Sequence, residues 1–350
     1  MAGQTMKAVR FHSHGGADVL RFEDAPVPEP GDGQVLLRVM GTSVNHLDIT
    51  LRDGSAGVRV KMPHTGGCDA VGTVVYGEGK EGQFGEGDLV VVNPSLSCGL
   101  CQECKRGEAS LCGSFAILGE HTDGAFAEYV AVPERNLKRV PSGFPLVKAA
   151  AAPLVYLTAW HALVKRARIR FGERVLVTGG SGGVSTAGIQ IAKLFDAEVV
   201  ATTRSESKAE ALRRLGADDV IVTGAGGWGK RYLEQRKMDG FDIVLDSVGA
   251  ALWGDSVRSL RKGGRLVNYG RTSGGSVDAE LGHLFWKQLQ ITGSTMGDPS
   301  DFETVMNLVF SRRLDPVVDG VFSLRDAARA QERVASASQL GKVVMLAGEA

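Results

Sequence analysis

Between Arg174 and Ser294 the chain alternates short apolar runs with helix-patterned segments, and no other feature restricts its possible folds so tightly. The runs Arg174–Thr178, Glu198–Thr203, Asp219–Val222, Phe241–Asp246, Gly264–Tyr269 and Leu289–Ser294 read as six buried strands. After the first of them, Val184, Ala187, Gly188, Ile191, Ala192 and Phe195 recur at helical spacing on one face. Lys208–Leu215, Lys230–Arg236, Trp253–Leu260 and Leu281–Trp286 fill the later intervals with further predicted helices. Strands joined through helices run parallel, so the segment is expected to form a doubly wound α/β sheet.

Upstream the pattern is different. Lys7–Phe11, Gln34–Met40, Gly72–Tyr76, Asp88–Asn93 and Ala127–Val132 are short, Val-rich runs, set apart by the turn-forming clusters Pro26–Gly33 and Gly77–Gly87. Such spacing predicts a barrel-like all-β unit. From Asp298 onward two helices and two strands are expected, and their pattern alone does not say which unit they join. The chain has 47 glycines in 350 residues, well above the usual share of about 7%. Without a collagen period, this excess belongs in turns and places of close backbone approach. Basic and acidic residues cancel, 40 against 40, which argues against attachment to nucleic acid or an anionic membrane by bulk charge. The opening residues carry no signal-like apolar core, and the longest apolar stretch, Ala149–Val164, is too short to span a membrane and contains Pro153 and His161. A soluble, cytoplasmic chain is expected, where thiols stay reduced.

Two local motifs carry chemistry. Gly180-Ser181-Gly182-Gly183-Val184-Ser185 follows a predicted strand and opens a predicted helix, matching G-x-G-x-x-G with Ser in the last place. Glycines let a pyrophosphate approach the backbone, and the helix N-terminus supplies N–H donors, so the loop is expected to bind a dinucleotide. Where an NAD-binding chain usually has a carboxylate for the ribose 2′-hydroxyl, this one has Thr203-Arg204-Ser205, with Lys208 shortly after. A guanidinium, a hydroxyl and an ammonium suit a 2′-phosphate, so NADPH is the expected cofactor. In the second motif Cys98, Cys101, Cys104 and Cys112 form C-x2-C-x2-C-x7-C. Four thiolates so close in sequence can close a tetrahedral site, and one structural zinc is expected there.

With the segments Val44-Asn45-His46-Leu47-Asp48, Gly87-Asp88, Leu157-Thr158-Ala159-Trp160 and Gly341-Lys342-Val343-Val344, these motifs make the chain resemble the medium-chain dehydrogenase/reductase superfamily of zinc alcohol dehydrogenases and quinone reductases over nearly its whole length. The resemblance implies a GroES-like β-barrel catalytic domain over 1–152 that carries the zinc lobe. It implies a Rossmann domain over 153–295, a C-terminal return to the first domain over 296–350, an active site between the domains, and a homodimer or homotetramer. It places Asn45 beside the nicotinamide ribose, although an Asn capping a helix fits the residue equally well. It places His46 at the pyrophosphate, Thr158 at the start of a helix under the nicotinamide, Tyr269 near the cofactor, and Glu120 and His121 beside the substrate pocket. His121 is then a candidate proton donor, or else a surface histidine.

The departures from the family pattern are informative. Zinc alcohol dehydrogenases hold a catalytic zinc with Cys, His and Cys; the matching positions here are Asn45, Cys68 and Leu154. Without that Lewis acid, hydride transfer to an activated C=C is easier to support than alcohol oxidation. The expected activity is NADPH-dependent reduction of a small enone or quinone. The alternatives are alcohol or aldehyde turnover by a zinc-type dehydrogenase and a non-catalytic NADPH-binding structural role.

Overall fold

A computed structural model of the chain describes residues 3–76, 82–224 and 226–348. Part of the turn expected over Gly77–Gly87 lies outside the described residues. The chain divides into two compact units, Met1–Val155 with Asp298–Ala350, and Tyr156–Gly297.

In the Tyr156–Gly297 unit, the described residues form a six-stranded parallel sheet in the order Asp219–Val222, Glu198–Thr203, Arg174–Val177, Phe241–Asp246, Leu260–Asn268, Gln290–Gly293. Chain order reverses between Arg174–Val177 and Phe241–Asp246, the strand order of a Rossmann fold, whose ligands sit beyond the C-terminal ends of the strands at such a reversal. The sheet forms because helices cover both faces and every position of a central strand can be apolar. Phe241, Ile243, Val244 and Leu245 are fully buried, as are Val175, Leu176 and Val177. Two expected boundaries move. The helix predicted at Trp253–Leu260 runs Ala250–Arg258, and Leu260 opens the next strand, whose start had been placed at Gly264.

In the other unit, one sheet orders Leu137–Arg139, Leu89–Val92, Val71–Tyr76, Gln34–Val44, Lys342–Leu346 and Val318–Ser323, with Tyr129–Pro133 also paired to Gln34–Val44. A second sheet joins Leu20–Pro26, Thr5–Phe11 and His64–Thr65. Alternate residues Val35, Leu37 and Val39 face a core shared with Val90, Val92, Val130 and Val132. The C-terminal strand Lys342–Leu346 lies antiparallel to Gln34–Val44, with Val343 opposite Val44. Segment 298–350 therefore completes a sheet begun by the first 50 residues.

Candidate active site

In the first unit, an 11-residue strand, Gln34–Val44, delivers the chain to Asn45, which stands at the N-cap of the helix His46–Asp53 in extended conformation. The Asn45 N–H donates to Asp48 Oδ2 at 2.7 Å, one arm of a capping box. Asp48 Oδ1 accepts the Gly67 N–H at 3.1 Å. Asp48 is buried, and desolvation pushes its carboxyl up to about 7 against the pull of these N–H donors and of Lys342. The capping role of Asn45 is therefore visible. Its side chain has a further task.

That task is defined by Asp69, which is completely buried. Its Oδ1 accepts the Leu154 N–H at 2.8 Å, and its Oδ2 accepts from Ser43 Oγ at 2.6 Å, Asn45 Nδ2 at 2.8 Å and Lys342 Nζ at 3.1 Å. Lys342 is equally enclosed, and its three protons go to Val44 O, Asn45 Oδ1 and Asp69 Oδ2. The carboxylate is thus neutralised by an internal ammonium and its lone pairs are engaged. Cys68 beside it has no exposed surface, and its thiol lies 3.9 Å from Asp48 Oδ1. Burial, then Asp48, Asp69 and Glu120, raise its pKa well above that of an ordinary thiol. Asn45, Cys68 and Leu154 thus lie around a hydrogen-bond network in which Ser43, Asn45, Leu154 and Lys342 engage both oxygens of Asp69. Sequence reasoning named Lys342 only as part of a family segment. The available signal was a lysine heading the otherwise apolar strand KVVML, which demands a buried partner.

The segment before Cys68 is crossed by the loop that carries His121. Ala125 and Phe126 N–H groups donate to Gly67 and Gly66 carbonyls at 2.9 and 3.0 Å. At Gly119 the φ of 77° is left-handed, and an added Cβ would lie 2.5 Å from Gly67 O. Gly119→Ala is therefore expected to cost about 2 kcal/mol or more through strain and clash. Gly113→Ala, where an added Cβ meets nothing within 4 Å, is expected to be near neutral. Thermal denaturation of the two variants checks this difference, and equal midpoints would contradict it.

His121 Nδ1 accepts the Ile117 N–H at 3.1 Å, so the neutral ring carries its proton on Nε2. Its side chain is half-exposed, and Glu120 Oε2 lies 3.6 Å from Nδ1. Glu120 is buried and desolvation raises its pKa. His46 is exposed on the first turn of its helix.

The four cysteines lie on a separate lobe of this unit, with all four Sγ atoms within 4.8 Å of one another. Cys98 Sγ is 3.9 Å from Cys104 Sγ and 3.6 Å from Cys112 Sγ. Four sulfurs at about 2.3 Å around a tetrahedral zinc stand ~3.8 Å apart, so the spacing fits. Leu100 and Cys101 N–H groups point at Cys98 Sγ at 3.4 and 3.3 Å, and the Ser114 N–H at Cys112 Sγ at 3.4 Å; donors so placed favour the thiolate form.

In the second unit the loop after Arg174–Val177 lies at the sheet's reversal point. The helix Gly183–Leu194 begins there with Gly182 as N-cap, leaving its first N–H groups free of intrahelical partners. At Gly180 a Cβ would meet Ala201 Cβ at 3.0 Å and Leu212 Cδ1 at 3.2 Å, while its N–H donates to Thr202 O at 2.7 Å. Gly182, Gly183, Val184 and Ser181 remain half-exposed. Lys208 Nζ reaches Ser181 Oγ at 3.4 Å, so the ammonium stands over the loop. Thr203 is buried at the strand end, Arg204 is exposed just past it, and Ser205 stands at the N-cap position of the helix Glu206–Leu215 with its hydroxyl on Ser207 Oγ. A glycine turn, a helix N-terminus and two cations on one rim fit a phosphorylated dinucleotide. Tyr269 comes close to this loop through Ser185. Thr158 does not open a helix as expected: Pro153 does, because proline suits the first turn, and Thr158 is buried later in Pro153–Trp160 with Oγ1 3.8 Å from Met296 Sδ.

Comparison with known proteins agrees with this architecture. Residues 31–142 match the alcohol dehydrogenase GroES-like domain and residues 183–311 the zinc-binding dehydrogenase family. The chain is 33% identical to an acryloyl-coenzyme A reductase of Metallosphaera sedula over 97% of its own length and 99% of that protein. It superposes on a solved NAD-dependent alcohol dehydrogenase with a TM-score of 0.92 and 39% identity, covering 98% of this chain and 100% of the other. It also superposes on a crotonyl-CoA carboxylase/reductase with a TM-score of 0.89 and 26% identity, covering 98% and 88%. Among the described residues no helix is long and apolar enough to cross a membrane. With a GroES-like unit, a Rossmann unit and relatives of this kind over almost its whole length, the chain belongs to the medium-chain dehydrogenase/reductase superfamily and is an NAD(P)-dependent oxidoreductase.

Proposed function

We propose that the protein uses NADPH to reduce the activated C=C bond of a small α,β-unsaturated carbonyl compound or quinone, with no metal at the reacting centre. The observation that carries this reading is the network in which Lys342 and Asn45 engage the Asp69 carboxylate, next to the position where zinc alcohol dehydrogenases keep a metal. When bound, the reduced nicotinamide supplies a hydride to the β-carbon of such a substrate. Gly183 and Val184 at the helix N-terminus would hold the pyrophosphate, with Gly180 and Gly182 leaving room for it and Ser181 and Lys208 beside it. Arg204, Ser205 and Lys208 would hold the 2′-phosphate. Negative charge that develops on the carbonyl oxygen needs oriented donors. His121 suits that task as a neutral Nε2–H donor, since the Ile117 N–H occupies Nδ1, and water then supplies the proton to the α-carbon. The acryloyl- and crotonyl-coenzyme A relatives support a conjugated C=C as the reacting group. The four cysteines would hold one structural zinc, distant in role from the reaction.

The cofactor and the reaction are tested together. NADPH is expected to bind about a hundredfold more tightly than NADH through two charge-assisted hydrogen bonds, and Arg204→Ala should weaken NADPH while leaving NADH nearly unchanged. With 4-deuterated NADPH, a small enone should give the saturated ketone carrying deuterium at the β-carbon. Equal affinity for the two cofactors would remove the 2′-phosphate reading. Robust oxidation of a primary alcohol that a mild chelator abolishes, with no enone turnover, would remove the metal-free one.

A further inference from the structure

Ser185 occupies the place where the nucleotide-loop pattern has its third glycine, and it is almost fully buried. Its Oγ lies 3.0 Å from the carbonyl oxygen of Thr178 and 3.2 Å from Tyr269 Oη. A serine hydroxyl has one proton and a carbonyl can only accept, so that proton goes to Thr178. The second contact is then a hydrogen bond when the Tyr269 O–H donates to Ser185 Oγ; the same hydroxyl also meets the Ser247 side chain. The result is a relay, Tyr269 O–H to Ser185 O–H to Thr178 C=O. It joins the residue after the strand Leu260–Asn268, the first turn of the helix Gly183–Leu194, and the residue after the strand Arg174–Val177. The three points flank the glycine loop.

The relay is anchored at both ends. The Tyr269 N–H donates to Asp246 O at 2.9 Å. The Asp246 carboxylate accepts Thr178 Oγ1 at 2.7 Å, Asn268 Nδ2 at 3.0 Å and the Val248 and Gly249 N–H groups at 3.2 Å. Tyr269 is half-buried, and desolvation holds its phenol well above the range in which it could lose its proton near neutrality.

We infer that Tyr269 is a positioning residue for the dinucleotide: through Ser185 its hydroxyl fixes the first turn of the helix whose N–H groups face the pyrophosphate. The inference rests on the nucleotide reading of the loop given above. It separates two roles for Tyr269, direct contact with the cofactor and action through Ser185.

Tyr269→Phe keeps the ring and removes the hydroxyl. It is expected to weaken NADPH binding about tenfold, the size of one neutral hydrogen bond, and to raise the KM for NADPH with kcat nearly unchanged. In the Ser185→Gly background the same change should have no further effect. Without nucleotide, amide hydrogen exchange over residues 183–187 should quicken in Tyr269→Phe. Unaltered affinity and exchange in Tyr269→Phe would overturn the inference. So would an equal loss of affinity in the Ser185→Gly background, which would mean that the phenol touches the cofactor itself. A parent protein that binds neither NADPH nor NADH would sink the nucleotide reading, and with it the positioning role, whereas the exchange measurement would still report whether the relay holds the helix.

Discussion

Lys342→Met should be among the most destabilising single changes in the protein. The substitution keeps most of the side-chain volume and removes the ammonium that neutralises Asp69, whose carboxylate is left fully buried. Breaking a buried ion pair from one side costs about 3–5 kcal/mol. For a unit of this size that corresponds to a fall in melting temperature of roughly 10 °C. Adding Asp69→Asn to Lys342→Met should recover much of the loss, because it removes the uncompensated charge while the amide oxygen can still accept the Leu154 N–H and the amide NH2 can donate to Ser43 Oγ. Calorimetry of the two single variants and the double variant measures this coupling. A Lys342→Met midpoint within a degree of the parent would show that the ammonium does not hold the network.

Metal content has the other large effect. The purified protein should carry one tightly bound zinc per chain, held by Cys98, Cys101, Cys104 and Cys112. The lobe has little core of its own: Ala109 and Cys112 are buried, while Leu100 and Leu111 are exposed. Its order is therefore expected to depend on the metal. Cys112→Ser, at the most buried of the four ligands, should lower the zinc content and destabilise the first unit by about 3 kcal/mol or more. Elemental analysis and melting curves check both statements. Two tightly held zincs per chain would mean that the network around Asp69 opens to a metal, and none would mean that the lobe is held by hydrogen bonds alone.

The nucleotide-binding unit was legible in the sequence nearly strand by strand, for a physical reason. A parallel strand in such a sheet is mostly apolar, so Glu198–Thr203, Asp219–Val222 and Phe241–Asp246 announce themselves by their Val, Ile, Leu and Phe content. The glycine loop was legible because its chemistry lies in contiguous backbone. In the first unit, Leu20–Pro26 escaped notice because it is an exposed strand carrying Arg21, Glu23 and Asp24. The helix His46–Asp53 was signalled only by Asn45 as a possible cap, because it is short and polar at its start. The hub of the candidate site was the least legible part: Asp69 and Lys342 are 273 residues apart, and no local period links them. Only the paired sheet order brings them into register.

The same pairing sets an order of events on the ribosome. The stretch Gly41–Val44 of its strand receives its partner from Val343–Leu346, and Asp69 receives its ammonium from Lys342. Both emerge after the contiguous unit Tyr156–Gly297 has been made in full. The nucleotide-binding half can thus finish folding during translation, while the half that precedes it holds an open strand edge and an uncompensated carboxylate until the last few dozen residues appear. A nascent chain stalled before residue 340 would bind the dinucleotide yet expose that edge to chaperones and to other chains.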